Sequence, residues 1–339
     1  MPTAHELAAG DRVLVTWMDY DPDGIRTGAR LRAAGLAVDC APKLGARSSH
    51  EVRRLAAGAV AAIVSTDPFD RSVFAAAPGL RVIARVGVGT DSIDLVAATE
   101  AGVAVMVTPG GNRETVADHT VALILAALRR VVEHDGSMRR GEWRRGGALM
   151  PWELHGATVG LIGYGQIGRA VARRLEGFGV RLLVCDPALR AADHLRRVEL
   201  EELLRCADVV SLHLPLSEAT RHVLGREQLE LMAPHAVLVN TSRGGLVDEA
   251  ALAARLRSGR LRAAALDVFE EEPPASAELG ELENVVLSPH VGGLSERSVE
   301  HMTEQATGHV LDVLAGRPQL AALANPDVLE RPPARRAVS

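Results

Sequence analysis

Three glycines, Gly163, Gly165 and Gly168, stand between the apolar run TVGLI and the helix-forming run RAVARRLEGFG, and no other feature restricts the fold as much. The spacing G-x-G-x-x-G in that setting predicts a strand, a tight turn and a helix. The first glycine permits the turn, the second lets main chain approach a pyrophosphate, and the third lets helix and strand pack closely. The following helix then offers N–H groups and the positive end of its dipole to phosphates. Asp186, in VCDP at the end of the next strand, suits the adenosine ribose hydroxyls and would repel a 2′-phosphate, which favours NAD over NADP. Arg190 nearby works against strict selection.

Around this motif, short β-branched runs alternate with Ala/Leu/Arg-rich stretches, the signature of parallel strands with crossover helices. A first series runs RVLVTW, AAIVS, RVIARVG and VAVMVTP, with GARLRAAG, RSVFAAAPG and DLVAATEAG between them. A helix is expected from about Thr115 to Arg130, apolar through VALILAAL and buried on most sides, and a polar, Gly-rich segment from Gly136 to Leu149 follows. The second series holds six strand candidates: TVGLIG, RLLVCDP, ADVVSLHLP, AVLVNTS, RAAALDV and NVVLSPH. That is the strand count of a dinucleotide-binding sheet, and 339 residues suffice for two domains.

Composition removes several alternatives. A net charge of -5 and 3% aromatic residues speak against nucleic acid as a partner. Arg139, Arg140, Arg144 and Arg145 read as a solvated face and turn. The only lysine, Lys43, lies in the turn-like stretch APKLGARSS, which leaves no residue for a P-loop or a pyridoxal Schiff base. Cys40, Cys185 and Cys206 are odd in number and widely spaced, so no metal site or disulfide framework is expected, and a reducing cytoplasm fits. No apolar run is long enough to span a bilayer, and MPTAHELAAGDR lacks the apolar stretch of a signal peptide, so no membrane partner is expected.

Three ionisable residues each follow an apolar strand: Arg243 in LVNTSRGGLVDE, Glu272 in ALDVFEEEPP and His290 in VVLSPHVGG. In a parallel sheet these positions fall at the carboxyl edge, where ligands bind. Reduction of a 2-oxo acid needs a cation to fix the carboxylate and polarise the ketone, and an acid to protonate the forming alkoxide. Arginine supplies a bidentate fork and histidine a titratable proton, with a neighbouring carboxylate to hold its tautomer and stabilise the imidazolium.

The motifs VGVGTDSIDL (86–95), GYGQIG (163–168), NTSRGGLVDE (240–249), ALDVFEEEP (265–273) and SPHVGG (288–293) occur in an order that resembles the D-isomer-specific 2-hydroxyacid dehydrogenases. That family includes phosphoglycerate, glyoxylate/hydroxypyruvate and D-lactate dehydrogenases and the C-terminal-binding-protein corepressors. The resemblance covers nearly the whole chain. It implies an α/β protein of two domains, a Rossmann-type doubly wound parallel sheet and a smaller flavodoxin-like α/β substrate domain. The substrate domain would comprise residues 1–107 and 299–330, the NAD-binding domain 108–298, and residues 331–339 would form a disordered tail.

The resemblance further implies that Arg243, Glu272 and His290 are the catalytic trio, with His290 the proton donor. It implies that Gln166, Ile167, Asp186, Leu214, Thr241, Ser242, Asp267 and Gly293 join the three glycines in contacting NAD, Asp267 near the nicotinamide amide. Backbone N–H groups of Val88 and Gly89 would hold the substrate carboxylate beside Arg243, and a homodimer is implied, for which the long apolar helix suits the interface. Among substrates, Arg85 is available to read a phosphate, but the stretch around Ser65 lacks a second arginine, which weakens 3-phosphoglycerate. Glu272, where the superfamily's formate dehydrogenases carry glutamine, disfavours formate. Tyr20, Trp143 and Trp152 leave an aromatic substrate open. The alternative from another class is an NAD(H)-sensing corepressor or scaffold.

Overall fold

In the computed structural model the described residues are 8–42, 45–147, 150–189, 195–274 and 278–330, so Lys43, Arg190 and the expected tail 331–339 lie outside them. The two series of apolar runs become two parallel sheets in two separate units. One contains the described residues up to Asn112 and those from Ser295 onward; the other is Arg113–Leu294.

In the first unit, β1 (Arg12–Val15), β2 (Ala37–Cys40), β3 (Ala59–Val64), β4 (Val82–Arg85) and β5 (Ala104–Met106) form a sheet of order β2-β1-β3-β4-β5. Every neighbouring pair is parallel, and the order is that of flavodoxin-like sheets. Helices α1 (Gly28–Ala33), α2 (Ser49–Ala56), α3 (Arg71–Ala76) and α4 (Leu95–Glu100) connect the strands, and α11 (Glu296–Leu314) returns to cover one face. Successive strand residues face opposite ways. Val13, Val15, Ala61 and Ile63 pack with Met302, Ala306 and Val310 of α11, whereas Leu14, Ala62 and Val64 pack with Val73, Phe74 and Ala97. Burial on both faces is why these strands read as continuous apolar runs. Local side chains start the helices: Ser48, Asp70 and Asp94 accept backbone N–H groups at α2, α3 and α4, and Ser295 and Ser298 form a capping box on α11.

The second unit carries α5 (Arg113–Arg129), α6 (Val131–Arg139), β6 (Thr158–Ile162), α7 (Gln166–Glu176), β7 (Arg181–Cys185), β8 (Arg196–Arg197), α8 (Leu200–Cys206), β9 (Val209–Leu212), α9 (Arg226–Leu231), β10 (Val237–Asn240), α10 (Glu249–Arg257), β11 (Ala263–Leu266) and β12 (Val285–Leu287). The parallel sheet runs β12-β11-β10-β9-β6-β7-β8. This is the doubly wound dinucleotide-binding order with an added edge strand, and β6 sits where the winding direction reverses.

The six expected strands correspond to β6, β7, β9, β10, β11 and β12; β8 is additional. It consists of two exposed arginines paired with Leu183 and Val184, so no apolar run announces it. The expected helix is α5, which buries Val116, Ala117, Thr120, Val121, Leu123, Ile124, Ala127 and Leu128 against α7 and β10 to β12. It stops at Arg129 because Arg130 adopts a left-handed backbone, φ 52°, after which α6 occupies part of the segment read as Gly-rich and polar. The arginines beyond it are solvated, as expected: Arg139 pairs with Asp135 at 2.6 Å, and Arg140 and Arg144 with Glu142 at 3.1 and 3.7 Å. Among the described residues, no helix is long and apolar enough to cross a membrane.

Candidate active site

The glycine loop follows directly from β6. Gly163 has φ 95°, and a Cβ there would stand 2.5 Å from the carbonyl oxygen of His213. Gly168, in the first turn of α7, leaves room for nothing larger, since its Cβ would lie 2.4 Å from the Gly163 carbonyl. Gly165 differs: a Cβ added to it would meet nothing within 4 Å. Folding alone requires the outer two glycines, and the middle one keeps open the space in front of a helix N-terminus. The N-cap residue, Gly165, has no side chain to cap that terminus and no acidic residue occupies its first turn, which leaves its N–H groups and dipole suited to an anion. These residues fit the pyrophosphate of a dinucleotide.

The other residues expected around the cofactor gather at the carboxyl edge of the same sheet. Asp186 follows β7, and its two oxygens accept the backbone N–H of Tyr164 at 2.6 Å and of Ala188 at 2.7 Å, which ties the acid to the glycine loop. Arg169 stacks on the Tyr164 ring at 4.6 Å. Gln166 is exposed, and half-buried Ile167 packs on the core beneath α7. Leu214, after β9, accepts the Ser242 hydroxyl on its carbonyl, and Thr241 is anchored to Thr120 of α5 at 2.8 Å. Burial pushes His213, beside Leu214, down to about 4.

Arg243, Glu272 and His290 follow β10, β11 and β12, three adjacent strands. Arg243 is half-buried, and its Nη1 donates to the Ser242 carbonyl at 2.6 Å. The turn after it is pinned, because a Cβ on Gly244 would fall 1.8 Å from the Phe269 carbonyl carbon. Glu272 turns back along its own loop to accept the Phe269 N–H at 3.2 Å on Oε1, and its Oε2 lies 2.7 Å from Nδ1 of His290. With Nδ1 donating to that carboxylate, Nε2 is the remaining ring nitrogen for exchange with a ligand.

Asp267, expected near the nicotinamide, is 1% exposed. Its carboxylate accepts Ser288 Oγ at 2.6 Å and the N–H groups of Val291 and Gly292 at 3.0 and 2.8 Å, while its carbonyl accepts the N–H of His290 at 2.8 Å. Burial raises the carboxyl pKa, but hydrogen bonds from His119, Ser288, Gly292 and Val291 outweigh it and hold the group below its ordinary value. Half-buried Gly293 continues this loop. His119 was missed in the sequence reading; its one signal is a polar ring inside the apolar helix VADHTVALILAAL.

In the first unit, Val88 is 46% exposed and Gly89 half-buried, just beyond β4. Gly87 before them is braced by Thr108, whose hydroxyl accepts its N–H at 2.9 Å and donates to its carbonyl at 3.1 Å. Arg85 lies along this turn and donates to the Val86 carbonyl at 3.0 Å. Of the three aromatic residues, Tyr20 is core, with its hydroxyl 3.3 Å from Thr307. Trp152 stacks on His235 at 5.2 Å, and Trp143 is 74% exposed.

Residues 121–292 match the family model of the D-isomer specific 2-hydroxyacid dehydrogenase, NAD binding domain. A glyoxylate reductase of Korarchaeum cryptofilum is 46% identical over 255 residues, 73% of this chain and 76% of that protein. A D-3-phosphoglycerate dehydrogenase of Methanocaldococcus jannaschii is 43% identical over 251 residues, 73% of this chain but 48% of that longer protein. The structure of D-lactate dehydrogenase from Aquifex aeolicus with NAD and lactic acid superposes with a TM-score of 0.82 at 26% identity, covering 93% of this chain and 99% of that one. The glycine loop, the sheet order and these similarities lead to one assignment: the chain belongs to the D-isomer specific 2-hydroxyacid dehydrogenase family.

Proposed function

We propose that the protein is an NAD-dependent dehydrogenase that interconverts a small 2-oxo acid and its D-2-hydroxy acid, with glyoxylate as the first substrate to test. The observation that carries this reading is the 2.7 Å contact between His290 Nδ1 and Glu272 Oε2, in the loops after β12 and β11, with Arg243 following β10 on the other side of β11. The unit Arg113–Leu294 is the NAD-binding part, with Gly163, Gly165, Gln166, Ile167 and Gly168 for the pyrophosphate and Asp186 for the ribose. Leu214, Thr241, Ser242, Asp267 and Gly293 serve the nicotinamide side.

Arg243 holds the substrate carboxylate and draws electron density toward the ketone oxygen. NADH, when bound, supplies the hydride that becomes the new bond to C2. His290 transfers the proton from Nε2 to the carbonyl oxygen as the carbon–oxygen π pair localises there, so the alkoxide never stands uncompensated. Glu272 stabilises the imidazolium before that transfer and fixes the ring afterwards; in the oxidative direction His290 accepts the alcohol proton. Val88 and Gly89, whose backbone N–H groups the family resemblance assigns to a carboxylate, keep that role in this reading. A small substrate is favoured because the stretch IVSTDPFD around Ser65 carries no arginine to read a phosphate together with Arg85.

The protein acts as a cytoplasmic homodimer in this reading. Beyond α5, exposed Val131, Val132, Met138, Trp143 and Met150 offer apolar area to a second copy, and the cysteines are free. Sedimentation of the purified protein tests the dimer. The reaction is tested by NADH oxidation with glyoxylate, hydroxypyruvate, pyruvate, phenylpyruvate, 2-oxoglutarate and 3-phosphohydroxypyruvate. Rapid turnover of a small member supports the proposal. Bound NADH with no turnover of any of the six would overturn it and favour the sensor reading.

A further inference from the structure

We infer that His119 is a positioning residue for His290, acting through Ser288 and Asp267; this rests on His290 being the acid of the reaction proposed above. His290 carries a left-handed backbone, φ 52°, which a non-glycine residue keeps only where its surroundings dictate it. The hub that dictates it is Asp267, which holds the N–H groups of His290, Val291 and Gly292 and the Ser288 hydroxyl. His119 closes on this hub from α5, with its Nε2 2.9 Å from Ser288 Oγ and 3.3 Å from Asp267 Oδ1.

The direction of these hydrogen bonds follows from counting protons. Ser288 has one hydroxyl hydrogen, committed to Asp267 at 2.6 Å. Its oxygen therefore accepts from His119, which places a proton on Nε2 of His119 and makes the chain one-way: His119 to Ser288 to Asp267. Packing makes the same connection. A Cβ on Gly292 would stand 2.7 Å from Asp267 Oδ2 and 3.1 Å from His119 Cδ2, so the loop rests directly on both groups. Helix α5 is in turn fixed, through Thr120, to Thr241 at the end of β10. His119 thus couples α5 to the loop 288–292 that aims the imidazole of His290, and small errors of aim are costly to proton transfer.

The test compares His119→Phe, which keeps a ring and removes the donor, with His119→Gln, whose amide puts a donor near the Nε2 position. His290→Gln is run in parallel, with glyoxylate as substrate and NADH saturating. His119→Phe is expected to lower kcat by about tenfold or more, with NADH affinity and Tm near those of the parent, and His119→Gln to regain most of the loss. Unchanged kcat in the Phe variant overturns the inference, as does a loss that Gln does not repair. Should the Phe variant fail to fold, His119→Asn replaces it. Its shorter amide falls short of Ser288, so kcat is expected well below that of the Gln variant, and equal values overturn the inference. Parent-like turnover by His290→Gln would instead remove the reading on which the inference stands.

Discussion

His290 Nδ1 and Glu272 Oε2 lie 2.7 Å apart although they belong to loops after different strands, β12 and β11. The contact orients the ring and, in the proposed reaction, places a negative charge where a positive one forms. His290→Gln is expected to reduce turnover of the 2-oxo acid by on the order of a hundredfold or more while NADH still binds. Glu272→Gln, which keeps an acceptor and loses the charge, should fall between that variant and the parent. Steady-state rates and NADH fluorescence titration check both, and equal kcat in all three proteins would exclude the pair from the chemistry.

The glycine loop separates a folding requirement from a binding one. Gly168→Ala forces a Cβ to 2.4 Å from the Gly163 carbonyl and should cost about 1–3 kcal/mol, read as a lowered Tm, together with lost NADH affinity. Gly165 has φ -73°, ψ -157° and open space at its Cβ position. Its Ala variant should melt like the parent and still bind NADH more weakly, because the methyl enters the pyrophosphate's space. Parent-like affinity in Gly165→Ala would move the phosphates elsewhere.

Asp186 holds the N–H groups of Tyr164 and Ala188 and, in the proposed function, repels a 2′-phosphate. Asp186→Asn keeps an acceptor but removes the charge. The ratio of kcat/KM for NADPH to that for NADH should rise about tenfold, roughly 1.4 kcal/mol. Initial rates with both cofactors measure it, and an unchanged ratio would assign the discrimination to other groups.

Acid stability should depend on His213. Burial lowers its pKa from 6.5 to about 4, so between these values the unfolded chain binds a proton that the folded one refuses. The term is absent above about pH 6.5, grows as pH falls, and levels off near pH 4 after destabilising the fold by up to about 3 kcal/mol. His213→Gln removes it, so the Tm of the variant should decline less steeply across that window. Parallel Tm curves would show that His213 does not titrate differently in the folded state.

Where the chemistry depends on local spacing, the amino-acid sequence already determined it. Gly163, Gly165 and Gly168 lie together after β6, Asp186 follows the next strand, and Arg243, Glu272 and His290 each lie in the loop after a strand, so alternation and motif order were enough to place them on one sheet edge. The tertiary structure decided what depends on neighbours. Strand β8 exists because Arg196 and Arg197 meet the free edge of β7, α2 buries only Val52 and Ala56, and exposed β2 is held by pairing with β1. Neither strand has an apolar run strong enough to announce it, and α2, though its apolar residues fall on one face, is only eight residues long. His119 shows in the sequence only as a polar ring inside an apolar helix, and nothing local names its partners Ser288, 169 residues away, and Asp267. A hydrogen bond between distant residues is specified by the packing of α5 on the sheet, and only folding brings its partners within reach.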